Sequence, residues 1–291
     1  MNYQLTPREE EILNSAIGCI DEIANAGVSA LKKFPTQHYD LKVFTYINLL
    51  ERFTIHLQNI NFMLKSYSAN PKIETSIGLT IRAGLLDEMT ILYLVSYHAD
   101  VVGSGDPTET KFNYEFNRVL CDQVNYTFKY LREVRDAGFA TQSEYEAAVE
   151  MTFSNYHFLF NDTAVDYVKP ELKLISQDTI SPVQLFKRIR AHKLTTKFAK
   201  VYDLYTYYSK YEHFGMMAHF MQRQESNVHL ERILGSISYL IHGLGGCLSY
   251  LSYPVDLLNS ERQALEKLAS EFDQIVGDLQ SFPPVSNSLA N

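Results

Sequence analysis

The sequence predicts an all-α protein, a bundle of about eight helices, and three observations carry that prediction. Thr6-Pro7-Arg8-Glu9 and Thr141-Gln142-Ser143-Glu144 are both capping boxes, in which the threonine hydroxyl and the glutamate carboxylate each satisfy an orphan backbone N–H at a helix start. Asn70, Asp106 and Ser181 each stand directly before a proline, pairing a capping side chain with the residue best suited to a first helical turn. Strand punctuation is nearly absent, and apolar residues recur at three- and four-residue spacing instead.

Taken in order, helices are expected near residues 7–33, 41–67, 72–99, 108–137, 142–160, 182–222, 227–253 and 260–280, with Pro254 closing the seventh. Residues 161–180, with Pro170 and mixed polarity, form the longest interruption and mark a subdivision within a single helical domain over 1–282. Residues 168–175 have the composition of a short strand but lack a partner to make a sheet. Residues 283–291 read as a flexible tail, and neither an internal repeat nor a low-complexity tract is present.

With 291 residues, 46% hydrophobic and 21% charged, the chain is long enough to bury a large core. A formal charge of -8 disfavours phosphate binding spread over the whole surface and leaves a local basic patch as the route to a polyanion. Cys19, Cys121 and Cys247 stand about a hundred residues apart with no C-x-x-C, which argues against a disulfide framework or a cysteine zinc site and for a reducing, cytoplasmic setting. No basic region followed by an apolar run opens the chain, so no signal peptide is expected.

Two stretches approach membrane length. Residues 77–97 carry Arg82, Asp87 and Glu88 near their middle, where a bilayer penalises each by about 2.5 to 3.5 kcal/mol, so a buried helix is expected there. Residues 233–253 have no formal charge but are diluted by serines, tyrosines, glycines and His242, and no membrane partner is expected. Gly243, Gly245 and Gly246 follow no strand, so they read as sites of close helix packing, which also suits a homodimer.

Arg82 is the most conspicuous residue of the apolar segment 73–98. At 100° per residue, Leu79, Leu86, Met89, Tyr93 and Tyr97 lie within about 60° of it, whereas Asp87 and Glu88 lie about 140° and 120° away. A guanidinium keeps its charge at neutral pH, so its burial needs an acceptor on another helix or an anionic ligand. Tyr202, Tyr205, Ser209, Glu212 and His213 share or edge one face of a later segment and form the expected polar cluster with Arg82. Ser209 and His213 also have the spacing of a nucleophile and its base, but no strand-turn-helix elbow or oxyanion-hole motif accompanies them.

The run RAGLLDE from Arg82 to Glu88 and the run YTYYSKYEH from Tyr205 to His213 resemble paired R-x-x-L-[ED] and Y-x-x-x-S-x-x-x-H signatures of a bacterial all-helical domain-of-unknown-function family. The resemblance covers roughly residues 40–250, and Phe214 stands where that family often has proline. It implies an all-helical fold in which Arg82, Asp87 or Glu88, Ser209 and His213 matter, and it implies no reaction.

Two features point toward RNA or another anionic ligand. Lys187, Arg188, Arg190, Lys193, Lys197 and Lys200 stand in a fifteen-residue strip without an acid, flanked by Phe186 and Phe198. Arg223 and His229 have an R-x5-H spacing that resembles the signature of HEPN-type helical ribonucleases, and that resemblance implies metal-independent action on an RNA backbone with the histidine in acid/base work. No H-E-x-x-H motif or glycine-rich phosphate loop occurs, and His213 and His219 point about 120° apart on a helix, so neither a metal nor a cofactor is expected. The sequence thus favours a soluble helical binding or interaction protein, with a HEPN-like ribonuclease or RNA-binding effector as the alternative.

Overall fold

A computed structural model describes residues 5–34, 39–105, 109–161, 174–176, 180–212, 226–252 and 258–280. Among these, nine α-helices occur: α1 (Pro7–Leu31), α2 (Leu41–Leu64), α3 (Glu74–Ser104), α4 (Thr110–Asp136), α5 (Gln142–Tyr156), α6 (Pro182–Ala191), α7 (Lys200–Tyr208), α8 (Ser226–Ser252) and α9 (Asn259–Gln280). The fold is all-α, and among the described residues the sole β feature is one isolated antiparallel bridge between Phe160 and Leu174.

The expected caps form where the side chains can reach. The Thr6 and Thr141 hydroxyls accept from the amides of Glu9 and Glu144 at 3.3 Å and 3.2 Å, and both glutamates return the bond to the cap backbone. Ser181 does the same with Gln184 ahead of Pro182. Asn70 makes no side-chain cap and Pro71 opens a 3-10 turn, Pro71–Ile73, before α3. The cap expected at Asp106-Pro107 lies outside the described residues, and α4 begins after Glu109.

Over the described part of the single helix expected at 182–222, two helices occur. His192 turns to φ -99 and ψ 130, and the Thr195 hydroxyl donates to the Ile189 carbonyl at 2.9 Å, satisfying a group the ended helix leaves without an amide. A 3-10 turn, Thr196–Phe198, leads into α7, which tightens into a second 3-10 turn, Ser209–Glu212.

The chain forms two compact units, residues 1–91 with 197–291 and residues 92–196, so α3 contributes its first part to one and its last part to the other. The expected subdivision near 161–180 falls largely on residues outside the description.

In the first unit α8 packs against α1, α2, α7 and α9, and α1 packs on α2 and α9. Ile233, Leu234, Ile237, Leu240, Ile241, Leu244, Cys247, Leu248 and Leu251 of α8 are all buried, each aliphatic contributing about 1.5 to 3 kcal/mol on leaving water. This explains why α8 is apolar on most sides: it is the middle of a helical core. Its close packing is met within its own unit, so its composition no longer points to a dimer. No helix among the described residues is long and apolar enough to cross a membrane.

In the second unit α4 packs on α5, with Phe112, Phe116, Leu120, Leu185 and Ile189 buried. A buried Glu115 is satisfied twice: Tyr93 Oη donates to Oε2, and Arg118 Nη1 donates to the same oxygen at 2.9 Å. All three cysteines are free and buried.

Gly243 is the tightest point of α8. A Cβ there would run into Glu88 Oε2 and the Phe53 ring, both inside the packed core. Gly243→Ala is expected to lower the urea-unfolding free energy of the full chain by about 1 to 3 kcal/mol, the range for overpacking, despite alanine's better helix propensity. An unchanged or higher unfolding free energy would show that α8 can step back without loss.

Candidate functional site

Three charges stand close together on α3, and the structure treats each differently. The buried face runs through Ile77, Ile81, Leu85 and Met89, all fully buried, whereas Leu79 and Leu86 are 40% and 36% exposed. Arg82 therefore sits half-buried at the edge of the core, not in its middle as the wheel suggests. Its Nη2 donates to Tyr205 Oη at 3.2 Å, and its guanidinium carbon lies 5.0 Å from the centre of the Tyr205 ring. The expected answer from α7 is there, given by a tyrosine.

Asp87 and Glu88 are the charges taken inside. Asp87 is clamped by a two-point arginine pair, Arg52 Nε to Oδ2 at 2.9 Å and Nη2 to Oδ1 at 3.1 Å, with His56 Nε2 at 3.4 Å from Oδ2. Glu88 is 1% exposed, and its Oε2 makes no hydrogen bond among the described residues. Burial without a cation pushes its carboxyl up to about 8, so it stays neutral at pH 7. Burial likewise raises the Tyr239 phenol and the Cys247 thiol of α8, further out of reach of ionisation.

The predicted α7 face is only partly assembled. Tyr202 and Ser209 are half-buried, and the Ser209 hydroxyl donates back to the Thr206 carbonyl at 2.7 Å instead of reaching Arg82. The Glu212 side chain and all of His213 lie outside the described residues, which leaves the nucleophile-and-base pair without a described base.

The polar cluster that does form was invisible in the helical wheel. Tyr211 Oη donates to Glu74 Oε1, and His229 Nδ1 lies 2.5 Å from the same oxygen. That histidine contact has ion-pair distance without hydrogen-bond alignment, so both His229 ring nitrogens lack a hydrogen bond among the described residues. Arg232 Nη1 donates to Tyr207 Oη while its guanidinium covers the Tyr207 ring at 4.0 Å, and Ser236 Oγ meets Tyr208 Oη at 3.3 Å. Burial raises Tyr207, Tyr208 and Tyr211 above the ordinary phenol range, with the Glu74 carboxylate adding to the effect on Tyr211, so all three keep their protons. Glu74 opens α3, Tyr207, Tyr208 and Tyr211 come from α7 and its 3-10 extension, and His229, Arg232 and Ser236 from α8. A Cβ at Gly78 would meet the Tyr208 and Tyr211 rings, so glycine lets α3 lie against them.

His229 is 3% exposed and faces Glu74, an interior position among the described residues. Arg223 lies outside the described residues.

The basic strip is divided in sequence between the two units. In the second unit Arg188 donates Nε to Ser96 Oγ at 2.7 Å and Nη2 to Asp100 Oδ2 at 2.5 Å, and lies over the Tyr97 ring at 4.1 Å. Its hydrogen bond holds the Asp100 carboxyl below the usual carboxylate range, and His192 Nε2 stands 3.3 Å from Oδ1. Lys187, Arg190 and Lys193 remain exposed in that unit, while Lys197 and Lys200 are exposed in the other. No group of three or more histidines, cysteines and acids that could hold a metal occurs among the described residues.

No protein-family model matches the chain, and neither a curated protein nor a solved structure matches it.

The Glu88 carboxyl links stability to pH in a defined direction. Its folded value, about 8, lies above the ordinary 4.5, so between those values the folded chain holds a proton that the unfolded chain has released. Stability from this group therefore falls as pH rises through the window, by up to about 1.4 kcal/mol per pH unit, and levels off above it. Glu88→Gln is expected to flatten the melting-temperature profile between pH 5.5 and 8.5 relative to wild type, within the window set by the Glu88 shift. Parallel profiles for the two chains would mean that Glu88 is ionised in the fold.

Proposed function

We propose that the chain is a helical interaction protein that docks a protein partner through the hairpin formed by α4 and α5. The observation that carries this reading is the exposure of Tyr126, Tyr130 and Phe139, at 73%, 56% and 85%. Tyr126 and Tyr130 lie one turn apart on α4, beyond Val124, the last of its buried residues, and Phe139 stands in the turn that follows. Aromatic side chains left in water over so short a stretch are the usual anchors of protein interfaces, and the flanking Lys129 and Arg132 supply a polar rim. The absence of a membrane-length helix among the described residues and the unpaired, buried cysteines support a cytoplasmic setting.

The ribonuclease reading finds less support, because its histidine is interior. A polyanion reading keeps a specific basis: Lys187, Arg190 and Lys193 are exposed and make no ion pair among the described residues. Replacing all three with glutamine is expected to abolish any salt-sensitive retention of single-stranded RNA in filter binding; retention equal to wild type would place RNA elsewhere.

Two measurements test the main reading. A benzophenone cross-linker at Tyr130 is expected to capture a discrete protein partner, which sedimentation velocity identifies as a second copy or another chain. Tyr126→Asp combined with Phe139→Asp is expected to abolish that capture with little change in melting temperature, since both side chains stand in water. Capture unaffected by the double variant, or no discrete product, would remove the hairpin as the docking surface.

A further inference from the structure

Along the line where α8 and α9 pack, two polar stripes face each other. Ser238, His242, Gly245 and Ser249 follow at steps of four, three and four on α8, and Arg262, Glu266, Ala269 and Asp273 repeat the same steps on α9. Two hollows open beside the α8 stripe, the smaller of them in the seam with α9. One, of about 330 Å³, is lined by Lys197, Phe198, Ser238, Tyr239 and His242. The other, of about 190 Å³, lies over Gly245 and Ala269 and reaches Arg262 and Glu266, and His242 forms part of both walls.

The acids of the seam are already engaged. Asp273 accepts from the Ser238 hydroxyl at 2.5 Å through Oδ1 and stands 3.7 Å from His242 Nε2 through Oδ2. Because the serine donates to the aspartate and not to the imidazole, no base is placed on Ser238, and the trio orients a wall without making a nucleophile. The cations are less engaged. Lys197 makes no ion pair among the described residues, and its ammonium rests over the Phe198 ring at 4.8 Å. Arg262 Nε is buried without a hydrogen bond, its nearest acid being Glu266 Oε1 at 3.9 Å. The larger hollow is also aromatic: the Phe198 and His242 rings meet edge to face at 5.6 Å, with Tyr239 beside them.

We propose that the larger hollow binds a small planar organic anion, an aromatic carboxylate by class, with its ring among Phe198, Tyr239 and His242 and its carboxylate on Lys197. The ring replaces the water that three aromatic walls hold poorly, while the ammonium supplies a charge-assisted contact in a hollow too small for a polymer. This site lies in the first unit, apart from the α4 and α5 hairpin, and stands or falls separately from the interaction reading.

The test is saturation-transfer NMR on the full chain with benzoate, alongside inorganic phosphate followed by its own line broadening. Benzoate ring protons are expected to receive saturation, and the His242 imidazole resonances to move during the titration. Lys197→Ala, an exposed position whose loss leaves the core intact, is expected to weaken benzoate by about tenfold, and Lys197→Arg to retain it. No saturation transfer at millimolar benzoate would overturn the proposal, as would an undiminished signal in Lys197→Ala. Phosphate binding as tightly as benzoate would overturn it too, because the aromatic walls would then contribute nothing.

Discussion

The buried Glu88 carboxyl, pressed against Gly243 of α8, is the constraint on which the first unit depends. It brings α3 down onto the most apolar helix of the protein, and it does so with a polar group that meets neither a cation nor a hydrogen bond at Oε2. An ionised carboxylate there would face a large desolvation penalty, so the packing requires the neutral acid. One residue earlier the opposite solution is used: Arg52 grips both oxygens of Asp87. Gly243 is what makes the first solution sterically available.

Most of the remaining polar groups between α3, α7 and α8 are paired, the His229 ring nitrogens excepted. Glu74, at the start of α3, gathers Tyr211 and His229, while Tyr207 and Tyr208 engage Arg232 and Ser236 one turn apart on α8. Such a network fixes the short α7 segment against two longer helices, and losing one member would strand its partner. These groups face inward and join helices, whereas the binding proposed for this chain rests on surfaces: the exposed aromatics of the hairpin and the hollows beside α8.

Much of the fold was legible because helix starts are written locally. Thr6, Thr141 and Ser181 cap as their spacing demands, and the apolar residues of α8 lie in a core as their density demands. The end of α6 was not legible, because the Thr195 hydroxyl that accommodates it acts six residues back, only after the chain has turned. Arg82 was misplaced for a related reason. α3 is apolar on nearly every side, so a wheel finds many faces that could be inner and cannot choose among them. The tyrosines shifted likewise: Tyr205 answers Arg82, but Tyr207, Tyr208 and Tyr211 hold the buried cluster, and nothing in the sequence ties Glu74 to residues more than a hundred positions later. Ser238 and His242 carried a helical spacing that could have been noticed, but their meaning depends on Asp273 from another helix.

The most direct measurement of the central claim is the carboxyl carbon resonance of Glu88, followed by NMR through a pH titration of the folded chain with Glu88→Gln for assignment. A neutral acid at pH 7 that ionises with a midpoint near 8 is the predicted result. A carboxylate already ionised at pH 6 would contradict it, and with it the picture of α3 held on α8 by an uncharged carboxyl.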